Sequence, residues 1–306
     1  MWLVFLLYAL FASVFTVSKT ALEYSEPFFL VGTRMLLAGA LMLLYQYLKK
    51  EPMIIKKRAW GKILLLAFFA IYITNVFEFW GLQYLTSFKT CFIYSLSPFL
   101  SVLFSYLLFS ETLSRKKWLG LLIGFVGFIP VLLIQTTQEE LAGHLWIFSW
   151  AELAVVAAVA SAVYGWILLK QLVQDEGVSP VCANGFSMVI GGTLALTQSL
   201  IFEEWNPIPV SSFTPFFECT LFLILVSNCI CYNLYGFLLK RFSATFMSFA
   251  GLTTALFTAI FGFAVHGEVT HPSFWLSFLI VCVGLAIFYQ EELKKGTQFI
   301  SASNTT

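Results

Sequence analysis

Four ionisable side chains lie inside long apolar runs of this 306-residue chain: Arg34, Glu78, Lys89 and Glu152. A charge in such surroundings is costly, so each needs a partner within the protein or a charged ligand to engage. Tyr72, Asn75 and Glu78 follow one another at intervals of three, which keeps them near one helical face. A carboxylate at Glu78 could attract a cationic or amino group of a solute or carry a proton. It could equally be a helix-end partner for Arg34 or Lys89. Glu152 offers a second carboxylate, and Arg34 or Lys89 could pair with a carboxylate on the solute, the first as a planar fork and the second as a point charge.

These side chains do not resemble an enzyme's working set. Only three histidines occur, His144, His266 and His271, with no HExxH, no acidic metal cluster and no GxxxxGK[ST] loop. The six cysteines contain no CxxC and read as buried thiols. Neither a metal nor a cofactor is expected. A net charge of +1, with basic residues in short clusters, gives no case for nucleic acid.

The elements that must position these groups are membrane helices. The chain is 59% apolar and 11% charged with a mean hydropathy of +0.87, against about 25% charged in a soluble domain. With about 20 apolar residues needed per crossing, ten spans are expected: 2–20, 27–48, 61–83, 87–109, 118–135, 146–170, 180–202, 216–239, 244–265 and 272–290. The fold class is therefore all-α integral membrane, and the lipid bilayer is a necessary partner. With the N-terminus inside, 14 of the 17 basic residues fall in cytoplasmic segments, leaving Lys19, Arg34 and Lys89 elsewhere. The positive-inside rule then places both termini in the cytoplasm. Residues 291–306 read as a polar, disordered tail.

The chain repeats itself. Pro27, Gly32 and Gly39 recur as Pro180, Gly185 and Gly192, an offset of 153; Glu111, Trp118 and Gly127 recur as Glu268, Trp275 and Gly284, an offset of 157. Each half, 1–138 and 144–290, holds five spans. An odd number means that the second copy enters the membrane from the opposite side, giving a 5+5 inverted-topology repeat of the kind that binds solute near the midplane. At the 157 offset Asn75 and Glu78 match Tyr232 and Tyr235, with Asn228 one turn earlier, so two polar and aromatic stripes would face each other. Gly120, Gly124 and Gly127 allow close helix packing, within the protomer or in a possible homodimer. SLSP, Ser95–Pro98, should bend the fourth span.

The stretch GLQYLTSFKTCFIYSLSPFLSVLFSYLLFSETL followed by WLGLLIGFVGF resembles the EamA domain of the drug/metabolite transporter superfamily. SEPFFLVGTRMLLAGALMLL, with Arg34, is similar to that family's second helix, and Lys19 sits where its first helix often carries a lysine. The second copy departs from the pattern, with Ala255 in place of Pro98 and Ser187 in place of Arg34. The resemblance implies ten helices around a central cavity and secondary transport of a small metabolite, in a bacterial inner membrane. In general character, including 34 phenylalanines, the chain is also similar to the S-adenosylmethionine/S-adenosylhomocysteine transporters of obligate intracellular bacteria.

That likeness implies exchange of the first compound for the second. Glu78 and Glu152 would then engage positive groups, Arg34 or Lys89 the carboxylate, and Tyr8, Tyr94, Trp166, Tyr232 and Tyr235 a sulfonium or adenine. The runner-up is an exporter of amino acids or other metabolites. From other classes, a small-solute channel or an integral-membrane enzyme remain open.

Overall fold

A computed structural model of the chain describes residues 2–51, 55–109, 114–134, 137–238, 242, 247 and 250–303. Those residues are almost entirely helical. In order they form α1 (Trp2–Leu22), α2 (Pro27–Leu48), α3 (Lys57–Leu66), α4 (Thr74–Tyr84), α5 (Ser87–Tyr94), α6 (Ser97–Phe109), α7 (Arg115–Leu132), α8 (Thr137–Leu141), α9 (Trp150–Gln174), α10 (Pro180–Phe202), α11 (Phe213–Phe222), α12 (Tyr232–Leu238), α13 (Leu252–His266) and α14 (Pro272–Ser303). A two-stranded hairpin, β1 (His144–Leu145) and β2 (Phe148–Ser149), precedes α9.

Among the described residues, seven helical stretches are long and apolar enough to cross a membrane, including Lys57–Tyr84 and Phe213–Leu238; Leu252–His266 and Pro272–Ile287 are shorter apolar helices. The exposed side chains of α2 include Leu37, Leu41, Leu44 and Tyr47, an apolar outer surface suited to lipid. The expected third span is longer than its apolar core because α3 begins in the basic turn at Lys57. The fourth breaks between Tyr94 and Ser97, at the SLSP sequence, because Pro98 cannot donate to the preceding turn. The sixth begins four residues later than expected. Trp146, where that span was expected to begin, instead sits 94% exposed in the hairpin with a positive φ of 62°. The last helix runs to Ser303, through the segment expected to be a disordered tail. Glu111 lies outside the described residues.

Two irregular stretches decide how side chains are aimed. Ala67–Ile73, between α3 and α4, and Leu223–Cys231, between α11 and α12, are π-helical. Moved by the 157 offset, 67 and 73 fall at 224 and 230, inside the second stretch. Likewise α7, starting at Arg115, maps onto Pro272, the first residue of α14.

The chain divides into two compact units. The larger comprises residues 1–97 and 137–269. Its central pairing is α2 on α10, which come close because both carry glycines: a Cβ on Gly192 would lie 2.8 Å from Leu36 N, and one on Gly32 2.7 Å from Leu196 N. Around this pair α4 packs on α9 and α1 on α13. Leu30, Met35, Phe79, Leu169 and Met188 fill the core.

The smaller unit holds residues 98–136 and 270–306 and is built on α7 against α14. Gly124 and Gly284 make that approach possible, since a Cβ on Gly284 would fall 2.6 Å from Gly124 N. The glycine stripe of α7 therefore serves packing within the protomer.

Candidate functional site

Arg34 of α2 is a buried charge in the larger unit, 2% exposed. Its Nη2 donates to Asn75 Oδ1, and its guanidinium carbon stands 4.3 Å over the ring centre of Phe79. Both partners come from α4, one turn apart. Its Nε and Nη1, also buried, have no hydrogen-bond partner. A guanidinium held through Nη2, with buried donors unmet at Nε and at Nη1, retains charge-assisted hydrogen-bonding capacity for an anion.

Asn75 also donates through Nδ2 to the carbonyls of Ala70 and Ile71, at 3.3 and 2.8 Å, which the π-helical stretch leaves accessible. Tyr232, its counterpart at the 157 offset, lies within electrostatic reach of Arg34 and Glu78. One turn along α4, the Glu78 carboxylate accepts from the hydroxyl of Tyr94 on α5, whose ring meets Phe15 of α1 edge-on at 5.3 Å. Arg34 and Glu78 make no direct ion pair but lie within electrostatic reach of one another. Arg34, Asn75, Glu78, Tyr94 and Tyr232 thus form one cluster that offers a cation, a carboxylate and two phenols. Beside Tyr232, Trp166 of α9 lies 4.2 Å from the ring of Tyr235 and 5.4 Å from that of Tyr232. Tyr8 donates to the carbonyl of Met247 and packs with Tyr235.

Other expected members go elsewhere. Tyr72 lies inside the first π-helical stretch, where more residues per turn carry it off the face of Asn75 and Glu78; its hydroxyl donates to Gln198 of α10 at 2.8 Å. Lys89 and Glu152 meet each other. Lys89 Nζ is 2.6 Å from Glu152 Oε1 and 2.7 Å from Glu139 Oε2, with all three side chains 6% exposed or less. Glu152 also completes a capping box with Ser149 at the start of α9. Asn228 is fully buried, its Nδ2 2.9 Å from Met35 Sδ and its Oδ1 unpartnered.

Several polar residues outside the cluster stitch helix ends. Lys19 Nζ donates to the carbonyls of Leu82, Gln83 and Leu85 at 2.7, 3.0 and 2.9 Å, closing the C-terminus of α4. Glu268 accepts from the backbone of Ser87 and Phe88 at the start of α5. Glu203 does the same for Phe28 and Phe29 of α2, and burial outweighs those bonds to hold its carboxyl above the ordinary value. Glu176, after α9, is held below it by Lys62 and Arg58, each 3.2 Å away.

Sequence reasoning missed Phe79, Glu139 and the pair Asn184 and Asn233. The last had a visible signal, an asparagine one residue past the image of Asn75. Among the described residues no His, Cys, Asp and Glu group could hold a metal.

The EamA-like transporter family model matches residues 1–133 and again 149–290. The chain is 38% identical, over 96% of its length and 90% of theirs, to the S-adenosylmethionine/S-adenosylhomocysteine transporter of Chlamydia trachomatis serovar L2. The transporter of the same name in Chlamydia muridarum is also 38% identical, over 96% of this chain and 93% of that one. An uncharacterized transporter of Synechocystis is 26% identical over 94% of this chain and 88% of that one. A solved structure titled "Crystal structure of protein" superposes with a TM-score of 0.64 at 17% identity, covering 94% of this chain and 93% of that one, which shows a shared fold. With the family matched in both halves and the chlamydial relatives similar end to end, this chain belongs to the EamA-like transporter family.

Proposed function

We propose that this protein is a secondary transporter of a bacterial inner membrane that exchanges S-adenosylmethionine for S-adenosylhomocysteine. The likeness to the two chlamydial transporters supports the substrate. The observation that carries the site is the half-satisfied Arg34, whose Nε and Nη1 are buried without partners. In this reading the amino-acid end of the substrate meets this cluster: its carboxylate takes a free donor of Arg34, and Glu78, steadied by Tyr94, holds the positive group. Trp166, Tyr232 and Tyr235 supply the aromatic surface for adenine. Lys89, Glu139 and Glu152 form a structural ion cluster, and neither Lys89 nor Glu152 touches substrate.

The architecture proposed is ten spans in a 5+5 inverted repeat with both termini cytoplasmic. Matched π-helical stretches at the 157 offset and the pairing of α2 with its counterpart α10 support it. The two halves would rock about the buried cluster to expose it to either side in turn.

Binding of labelled S-adenosylmethionine to purified protein tests the site. Arg34→Lys keeps the charge and loses the planar guanidinium donors, so affinity should fall by about tenfold or more, the worth of one charge-assisted bond. S-adenosylhomocysteine, which carries the same amino-acid end, should compete in the parent. Parent-like affinity in Arg34→Lys would remove Arg34 from the site; absence of binding by the parent would remove the substrate.

A further inference from the structure

The two π-helical stretches are held by the same side-chain device. In the first half, Asn75 Nδ2 reaches back to the carbonyls five and four residues earlier, Ala70 and Ile71, at 3.3 and 2.8 Å. In the second half, Asn233 Nδ2 reaches back to the carbonyls five and four residues earlier, Asn228 and Cys229, at 3.4 and 2.9 Å. In each case the amide oxygen is fixed by a donor from the second helix of the same half. Asn75 Oδ1 accepts from Arg34 of α2, and Asn233 Oδ1 accepts from Asn184 of α10 at 3.1 Å.

A π-helical turn uses backbone bonds five residues apart and leaves carbonyls off the regular ladder. An asparagine that bonds both the i−4 and i−5 carbonyls satisfies the strained turn at its exit and fixes its register. The repetition of donor, amide and carbonyl pair in both halves is more than local repair, because only one copy touches the substrate cluster. The copies differ in one respect: the first is oriented by a guanidinium with free donors, the second by a neutral amide. The second stretch also carries Asn228, whose buried Oδ1 is unpartnered. This arrangement therefore leaves one acceptor unmet, at a cost of about 1 to 3 kcal/mol by general experience, and a change of register is a way to meet it.

We propose that Asn233, oriented by Asn184, is a positioning residue for transport: it holds the register of the second π-helical stretch, as Asn75 holds that of the first, and the two stretches are the hinges through which the halves change access. The proposal rests on the transporter reading but not on the substrate, since neither Asn184 nor Asn233 belongs to the Arg34 cluster.

Asn233→Asp preserves shape and the acceptor for Asn184 but removes both donated bonds, while Asn233→Ala removes everything. For S-adenosylmethionine exchange in proteoliposomes, both variants should lower the maximal rate by about fivefold or more, the scale of one or two buried hydrogen bonds, with KM within about threefold. Hydrogen–deuterium exchange of the purified protein should rise across residues 223–231 and stay unchanged across 67–73. Asn184→Ala should repeat the effect weakly, and its effect should vanish in an Asn233→Ala background.

A parent-like rate in Asn233→Asp, or a raised KM at unchanged maximal rate, would overturn the positioning role. Unchanged hydrogen exchange at 223–231 would overturn the hinge assignment. If the parent fails to exchange S-adenosylmethionine, the substrate reading falls, and the hydrogen-exchange measurement, which needs no substrate, still decides this one.

Discussion

At the scale of single residues, what matters is how each buried charge is answered. Arg34 is answered through one nitrogen only, by Asn75, with Phe79 beneath it. Glu78 is answered by a phenol rather than by a cation. Lys89 is answered twice over, by Glu139 and Glu152. The first two arrangements leave charge for a ligand and the third does not. Glu78→Gln keeps the acceptor for Tyr94 and removes only the charge, so S-adenosylmethionine affinity should fall by about tenfold or more in a binding titration. Tyr94→Phe, which removes one hydrogen bond, should cost no more than about fivefold. A loss confined to S-adenosylmethionine and absent for S-adenosylhomocysteine places Glu78 at the sulfonium, and an equal loss for both places it at the ammonium. Equal affinities in Glu78→Gln and the parent would show that the carboxylate is not a ligand.

Part of this was legible in the sequence and part was not. A charge in an apolar run stands out at once, which is why Arg34, Glu78, Lys89 and Glu152 could be named. Which pairs with which depends on helix packing across long separations: Glu139, the unforeseen partner of Lys89, lies 50 residues away on a short helix. Local spacing also misled at Tyr72, because the interval of three assumes 3.6 residues per turn and the helix there is π.

At the scale of elements, polar side chains close helix ends and join neighbouring helices. The Lys89 cluster ties α5 to α8 and to the first turn of α9. Lys89→Met would strand two buried carboxylates and should lower unfolding stability by about 3 to 5 kcal/mol. Adding Glu139→Gln and Glu152→Gln should recover most of it in thermal melts. A triple variant no better than the single would mean that the cluster does not act as a unit.

Glu176 makes a pH prediction outside the membrane. Its folded-state pKa is depressed, chiefly by the hydrogen bond from Lys62. Its contribution is therefore fully present above the ordinary carboxylate value of 4.5 and is lost as pH falls below that through the depressed one. The melting-temperature gap between parent and Glu176→Gln should be open at pH 7 and close on acidification. A gap independent of pH would mean that the carboxylate acts through packing. The helices themselves were readable from apolar length. The split of the fourth span at SLSP was readable from Pro98. The two π-helical stretches were not, since both read as ordinary apolar helix.

At the scale of the whole molecule, a chain with two matched halves and the charges of Arg34 and Glu78 present in only one of them suits the proposed exchange. In the proposed exchange the repeat would supply two interchangeable arrangements and the departures from it recognition: Arg34 aligns with Ser187, and Asn75 and Glu78 with Tyr232 and Tyr235. Repetition was visible in the sequence through a few glycines, prolines and tryptophans. Its strongest structural expression is the pair of π-helical stretches, each closed by its own asparagine.

Exchange by alternating access has a signature that neither a channel nor an enzyme shares. In proteoliposomes holding the purified protein, uptake of labelled S-adenosylmethionine should accelerate when unlabelled S-adenosylhomocysteine is preloaded inside, and that acceleration should disappear in Arg34→Gln. Uptake that is indifferent to the preloaded compound, or absent altogether, would contradict the account.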